Sequence, residues 1–194
     1  MKTTRFLMMI VAVMMMFTAC KKDKPQPDNG NNGNNETPTV TEAAENTLVF
    51  NGRVYQLNCG YGIDVAQNRS YASGRTLETD ANGDFLYEIM SDVEDFCLNR
   101  TFDLTTAYED ATYYFAFRKP DYSEEYSQGN TGGFGVNGAI NGEYYEDSSI
   151  FSSGTLTITR TETDFTYKVT GTLKTGQNLS FHIHVPASEW VYEN

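Results

Sequence analysis

The sequence predicts an all-β domain, an antiparallel β-sandwich or open barrel of about eight to ten short strands. Three observations carry that expectation. Apolar and polar residues alternate in three successive C-terminal runs, Asn-Gly pairs and other glycine-rich turns punctuate the chain, and no segment sustains a period of 3.6 residues.

Taken in order, Leu48 to Leu57 is a pair of strands divided by Asn51-Gly52, a two-residue hairpin signal. Arg75 to Thr79 and Asp84 to Met90 flank a second such signal at Asn82-Gly83. Asp92 to Leu98 has room for one helical turn. The aromatic run Ala111 to Phe117 reads as a strand that must end before Pro120, and Asn137-Gly138 and Asn141-Gly142 read as further turns. The last three strands, Thr155–Thr159, Phe165–Leu173 and Leu179–Val185, alternate strictly. A loop over Lys174-Thr175-Gly176 sets Val169 against Phe181, Tyr167 against Ile183 and Phe165 against Val185. A loop from Thr161 to Asp164 likewise sets Leu156 against Val169 and Ile158 against Tyr167. Every apolar residue then meets another, and a slip of one position would turn them all to solvent.

The N-terminus is of another kind. Lys2 and Arg5 precede an apolar run from Phe6 to Phe17, and Thr18-Ala19-Cys20 follows as a small-residue cleavage context. The run covers about 18 Å as a helix, too short for a hydrocarbon core of about 30 Å. Phe17-Thr18-Ala19-Cys20 resembles the lipobox of bacterial lipoproteins, with the apolar Phe17 where leucine is usual. That resemblance implies cleavage after Ala19 and a multiply acylated Cys20 as the mature N-terminus, which meets the requirement of more than one chain for stable anchoring. From Lys21 to about Asn46 the chain is rich in Asn, Gly and Pro without apolar periodicity, and it reads as a disordered tether reaching roughly 25–30 Å. The expected organisation is a signal peptide over 1–19, lipidated Cys20 and tether over 20–46, and an all-β domain over 47–194. The tether after the cysteine, the Asn-Gly hairpin, the aromatic middle strands and the run Ser153-Gly154-Thr155-Leu156-Thr157-Ile158-Thr159 are together similar to small lipoprotein domains of Bacteroidota. Those families bring no assigned chemistry, and the resemblance implies only a place in the cell envelope at the outer membrane.

The formal charge is −12, and the first 46 residues are neutral in sum, with five basic and five acidic groups. The whole negative charge therefore sits on the domain, which repels nucleic acid and anionic lipid and excludes nucleic-acid binding. Classical hydrolytic motifs are absent: there is no Gly-x-Ser-x-Gly, no His-Glu-x-x-His, and both histidines fall on one strand. No enzyme activity and no cofactor are expected. The alternatives are an envelope enzyme using two of the domain's carboxylates on a glycan, which needs a separation that sequence does not give, and a barrel carrying a small apolar ligand.

Four features compete as sites. His182-Ile183-His184 places two imidazoles on one face of a strand, but the expected register puts Lys168 and Thr166 opposite them and no third ligand beside them. The pair reads as solvent-facing and no metal is assigned. Gly133-Phe134-Gly135-Val136-Asn137-Gly138 matches a dinucleotide-binding string without the following helix that the mechanism requires, so it reads as a turn. Asp80 to Asp84 lacks the glycine and glutamate of a calcium loop and reads as a hairpin. Tyrosines interleaved with carboxylates are the remaining signal, since flat rings suit sugar faces and carboxylates accept from hydroxyls. Tyr122, Tyr126, Tyr144, Tyr145 and Trp190 are the candidate contacts for a glycan or peptide, against the alternative that tyrosine-rich strands simply pack a core. Cys59 and Cys97 both point inward on this reading. An exported domain permits a bond between them, worth roughly 4 kcal/mol, with two buried free thiols as the alternative.

Replacing Cys20 by Ser is expected to move the protein out of the membrane fraction and abolish labelling by a fatty-acid probe. Unchanged membrane association of that variant would refute the anchor.

Overall fold

The structure, a computed structural model, describes residues 41–193. The expected signal peptide, Cys20 and the tether as far as residue 40 lie outside the described residues. The domain is all-β, as its patterning predicts, with more strands than expected. They are β1 (Thr47–Phe50), β2 (Arg53–Asp64), β3 (Arg69–Thr76), β4 (Glu88–Glu94), β5 (Arg100–Asp103), β6 (Tyr113–Arg118), β7 (Glu125–Thr131), β8 (Gly135–Ile140), β9 (Glu143–Tyr145), β10 (Phe151–Arg160), β11 (Asp164–Leu173), β12 (Asn178–Pro186) and β13 (Val191–Glu193). Twelve lie in one curled antiparallel sheet in the order β5-β10-β11-β12-β1-β2-β3-β4-β6-β7-β8-β9, and β13 joins β2 in parallel. This is a half-barrel with two free edges, β5 and β9.

The C-terminal registers are those that the alternation dictates. Val169 faces Phe181, Tyr167 faces Ile183 and Phe165 faces Val185, while Leu156 faces Val169 and Ile158 faces Tyr167. Gly176 closes the loop after Leu173 with φ +84°. Asn51 and Gly52 take positive φ in the β1–β2 turn, as Asn141 and Gly142 do between β8 and β9. Asp95–Cys97 is a single 3-10 turn.

Three elements differ from expectation. Asn137-Gly138 is not a turn but the middle of β8, where Gly138 faces Gln128 and Tyr145. A Cβ there would lie 2.5 Å from Ile150 Cγ2 and 2.6 Å from the Ser127 carbonyl, so glycine is required by close packing. The Asp80–Asp84 turn sits in a long connection between β3 and β4, bridged only at Thr79 and Phe85, rather than in a hairpin of two full strands. β7 falls where polar residues suggest a loop, because its inward positions carry Gln128 and Asn130, both fully buried.

Curling brings the two ends of the sheet face to face. Phe115 on β6 meets Phe151, Tyr167 and Phe181 at 5.7–6.5 Å between ring centroids, and Phe50 meets Phe117 and Tyr126 at 4.9 and 5.5 Å. Each such ring, fully buried, contributes roughly 1.5–3 kcal/mol relative to exposure. Between the free edges Gln128 does the work of missing strand pairing. Its amide donates to the Leu104 carbonyl at 2.8 Å and accepts from Ser149 Oγ and the Ile150 amide. Asn130 fastens the Tyr108–Ala111 loop in the same way. At one end Arg160 of β10 reaches across to Tyr61, Ser70 and Asp95.

The expected tether also ends sooner than Asn46. Residues from Glu42 onward lie on the outer face of β11 and β12: Ala43 is buried, Glu42 pairs with Lys168 at 2.6 Å, and Asn46 Oδ1 accepts from the His184 amide at 2.8 Å. Asn46 makes this possible by adopting φ 54°, a left-handed conformation that asparagine tolerates. A chain beginning at Pro38 is therefore expected to be more stable than one beginning at Thr47 by about 2 kcal/mol, at about 1 kcal/mol per net hydrogen bond. Equal denaturation midpoints for the two would show that this segment contributes nothing.

Candidate functional site

The five aromatic candidates do not converge. Tyr126 is buried, its hydroxyl 3.1 Å from both Glu124 and Gln177. Trp190 packs edge-on against Tyr61 and donates to the Val185 carbonyl at 3.0 Å. Tyr145 is partly buried beneath the Lys174 ammonium. Tyr122 and Tyr144 are exposed but apart, Tyr122 in the β6–β7 connection with the Arg118 guanidinium over its ring and Tyr144 on β9 beside Ala139. The core-packing alternative therefore holds for Tyr126, Tyr145 and Trp190.

A different set of tyrosines stands on the outer face of the sheet, Tyr114 exposed and Tyr71 half-buried. On β3, β4 and β6 the inward residues Ala72, Ser91 and Phe115 alternate with outward Tyr71, Asp92 and Tyr114, and the register sets Tyr71 opposite Asp92 and Asp92 opposite Tyr114. The row continues to Gly62 beside Tyr71 and to Gly129 beside Tyr114. Neighbouring strands lie about 4.8 Å apart, so the two tyrosine backbones stand about 10 Å apart with the carboxylate between them. The glycines matter. A Cβ at Gly129 would touch the Tyr114 ring at 3.4 Å, so the bare backbone there leaves that ring room to lie over its neighbour. Along one side runs a floor of short side chains, Gly60, Ser73, Ala116, Ser127 and Ala139, interrupted by Met90.

Charge on this face is internally compensated. The Arg69 guanidinium lies 3.3 Å from Asp92 and 3.6 Å from Glu94. Glu88, nearly buried, lies 3.5 Å from Arg75 and 2.8 Å from Arg118. Desolvation raises the Asp92 carboxyl above its ordinary range, with Arg69 opposing the shift, and burial likewise pushes up the Tyr71 and Tyr114 hydroxyls. The face thus offers two rings and one poorly hydrated carboxylate on three neighbouring strands of the outer surface.

The histidine pair lies on the outer face, half-buried by its neighbours. His184 stands between two carboxylates, Nδ1 3.0 Å from Glu45 and Nε2 3.1 Å from Asp164, and the His182 ring donates to the Ala43 carbonyl. The expected register across the strand, Lys168 opposite His182 and Thr166 opposite His184, is present. The carboxylates come from the chain before β1 and from the start of β11, which strand alternation alone does not bring together. Burial and the nearby Lys168 lower the His182 pKa. Among the described residues no group of three or more His, Cys, Asp or Glu is arranged to hold a metal.

A surface cavity of about 410 Å³ lies at the seam between the sheet edges. Its lining mixes polar Thr105, Asp147, Ser148, Ser152 and Lys174 with apolar Ala107, Val136 and Phe151.

The expected bond between Cys59 and Cys97 is not formed, and both thiols are free. Cys59 faces Gly74, which faces Ile89 on β4, whereas Cys97 exchanges hydrogen bonds with the Thr112 backbone at 3.0 and 3.2 Å. Thr112 adjoins Tyr113, which faces Val93. Val93 lies four residues along β4 from Ile89, about 13 Å, beyond the ~7 Å that a disulfide can span. Burial raises both thiols, Cys59 to about 12.

No known protein family matches this chain, and no curated protein or solved structure is similar to it. The folded unit Pro38–Asn194, which carries Cys59 and Cys97 but not Cys20, is expected without reductant to resist alkylation at pH 8, because burial raises both thiols, and to take two labels once unfolded. Failure to label the unfolded, unreduced chain by mass spectrometry would restore the disulfide.

Proposed function

We propose that the protein is a lipoprotein of the bacterial cell envelope, held at the outer membrane through acylated Cys20, whose β domain is a non-catalytic module that binds a glycan or peptide. The observation that carries the binding half of this reading is the row Tyr71–Asp92–Tyr114, two rings flanking a desolvated carboxylate on a rigid sheet face. Side chains fixed on strands need little ordering on contact, and aromatic rings supply large contact area at low entropic cost. The anchoring half is supported by the lipobox-like Phe17-Thr18-Ala19-Cys20, followed by a tether that ends at the docked segment Glu42–Asn46.

The glycan-hydrolase alternative has Asp92 and Glu94 as its nearest counterpart, two residues apart on one strand and sharing Arg69. They lie on an open face with no cleft to exclude water, which favours binding over turnover.

An array of glycans and peptides probed with the compact unit Pro38–Asn194 is expected to give saturable binding without product. Tyr71→Ala and Tyr114→Ala should each weaken it about tenfold, the loss of roughly 1.4 kcal/mol of ring contact. Binding unchanged in the double variant would remove the site, and product formation would turn the reading to the enzyme.

A further inference from the structure

Resting on the binding reading above, we infer that the ligand of the Tyr71–Asp92–Tyr114 row is an uncharged oligosaccharide lying across strands β3, β4 and β6.

Anionic ligands are disfavoured by charge. The cations on this face, Arg69, Arg75 and Arg118, are all engaged by Asp92, Glu94 and Glu88. An anion would have to displace those carboxylates on a protein of formal charge −12. Cationic ligands meet the complementary difficulty. Asp92 already has a guanidinium at 3.3 Å, and Glu88 has two.

Peptides are disfavoured by the backbone. β3, β4 and β6 are central strands with neighbours on both sides, so their main-chain groups are committed to the sheet and no edge remains for strand addition. The floor beside the row is built of short side chains and provides no pocket for a side-chain anchor.

What the row does offer matches a neutral sugar chain. Two tyrosines whose backbones stand about 10 Å apart offer rings for the C–H faces of a sugar chain, and Asp92 on the strand between them accepts from hydroxyls. Its pairing with Arg69 leaves an oxygen free, and its partial desolvation strengthens any new hydrogen bond.

Calorimetric titration of the Pro38–Asn194 unit tests this with cellohexaose, maltohexaose, mannohexaose and chitohexaose, against a heparin hexasaccharide and a lysine-rich peptide. At least one neutral probe is expected to bind, with a Kd that changes less than about twofold between low and high salt because no ion pair forms. Asp92→Asn should weaken that binding about tenfold through loss of a charged acceptor, while leaving the melting transition cooperative. Val54→Ala, exposed near the start of β2 and off the row, should leave it unchanged.

Three results would overturn the inference: no binding by any neutral probe, a steep salt dependence, or tighter binding by Asp92→Asn. Binding of the peptide or the heparin fragment that is lost in the Tyr71→Ala/Tyr114→Ala double variant would refute the ligand class and leave the binding module standing. Binding insensitive to that double variant would refute the site itself.

Discussion

A single sheet that curls must bury its concave face against itself, and everything else in this domain follows from that constraint. The contact that satisfies it is aromatic: Phe115, near one end of the strand order, packs on Tyr167 and Phe181 near the other. Edge-to-face and offset geometry lets rings fill an interior of changing width without the regular taper that a closed barrel imposes. Burying the Tyr167 hydroxyl without a partner among the described residues is a cost of this arrangement, of about 1–3 kcal/mol.

Incomplete closure creates the second requirement. A gap between β5 and β9 would expose unpaired backbone to water entering the core, and the chain answers with buried amides. Gln128 and Asn130 lie inward on β7 and hold the Leu104–Ala111 and Ser149–Ile150 segments across the seam. One side-chain amide both donates and accepts, so each can replace two ladder bonds where no strand fits. Glycines serve the same region. Gly138 and Gly171 stand where a Cβ would collide with the neighbouring backbone and with Ile150 or Phe151. The seam is thus closed by close approach and buried hydrogen bonds, with open surface cavities of about 410 and 450 Å³ left along it among the described residues.

Strand alternation then places two polar clusters on opposite outer faces. Tyr114 adjoins inward Phe115, and His182 adjoins inward Phe181, which meets Phe115 across the core. The tyrosine row and the histidine pair consequently face away from each other, with the core between them. On the histidine side Glu42–Asn46 is held by Lys168, His182 and His184. The segment through which the chain enters the domain is therefore fixed on the side opposite the tyrosine row.

Sequence by itself determined the fold class and the C-terminal registers, because strict period-2 patterning permits only one pairing that buries every apolar residue. It also determined the turns at Asn51-Gly52 and Asn141-Gly142, where local chemistry selects positive φ. Tertiary structure alone decided the rest. β3 and β7 carry Ser, Gly, Gln and Asn on their inward faces, so hydropathy does not mark them, and only the seam explains why amides are buried there. The row Tyr71–Asp92–Tyr114 joins residues more than forty apart in the chain, on strands whose pairing depends on β3 being recognised as a strand. The carboxylates around His184 and the separation of Cys59 from Cys97 were hidden for the same reason. Alternation specifies which way a side chain points, whereas its neighbours across strands are set by the order in which the whole sheet assembles.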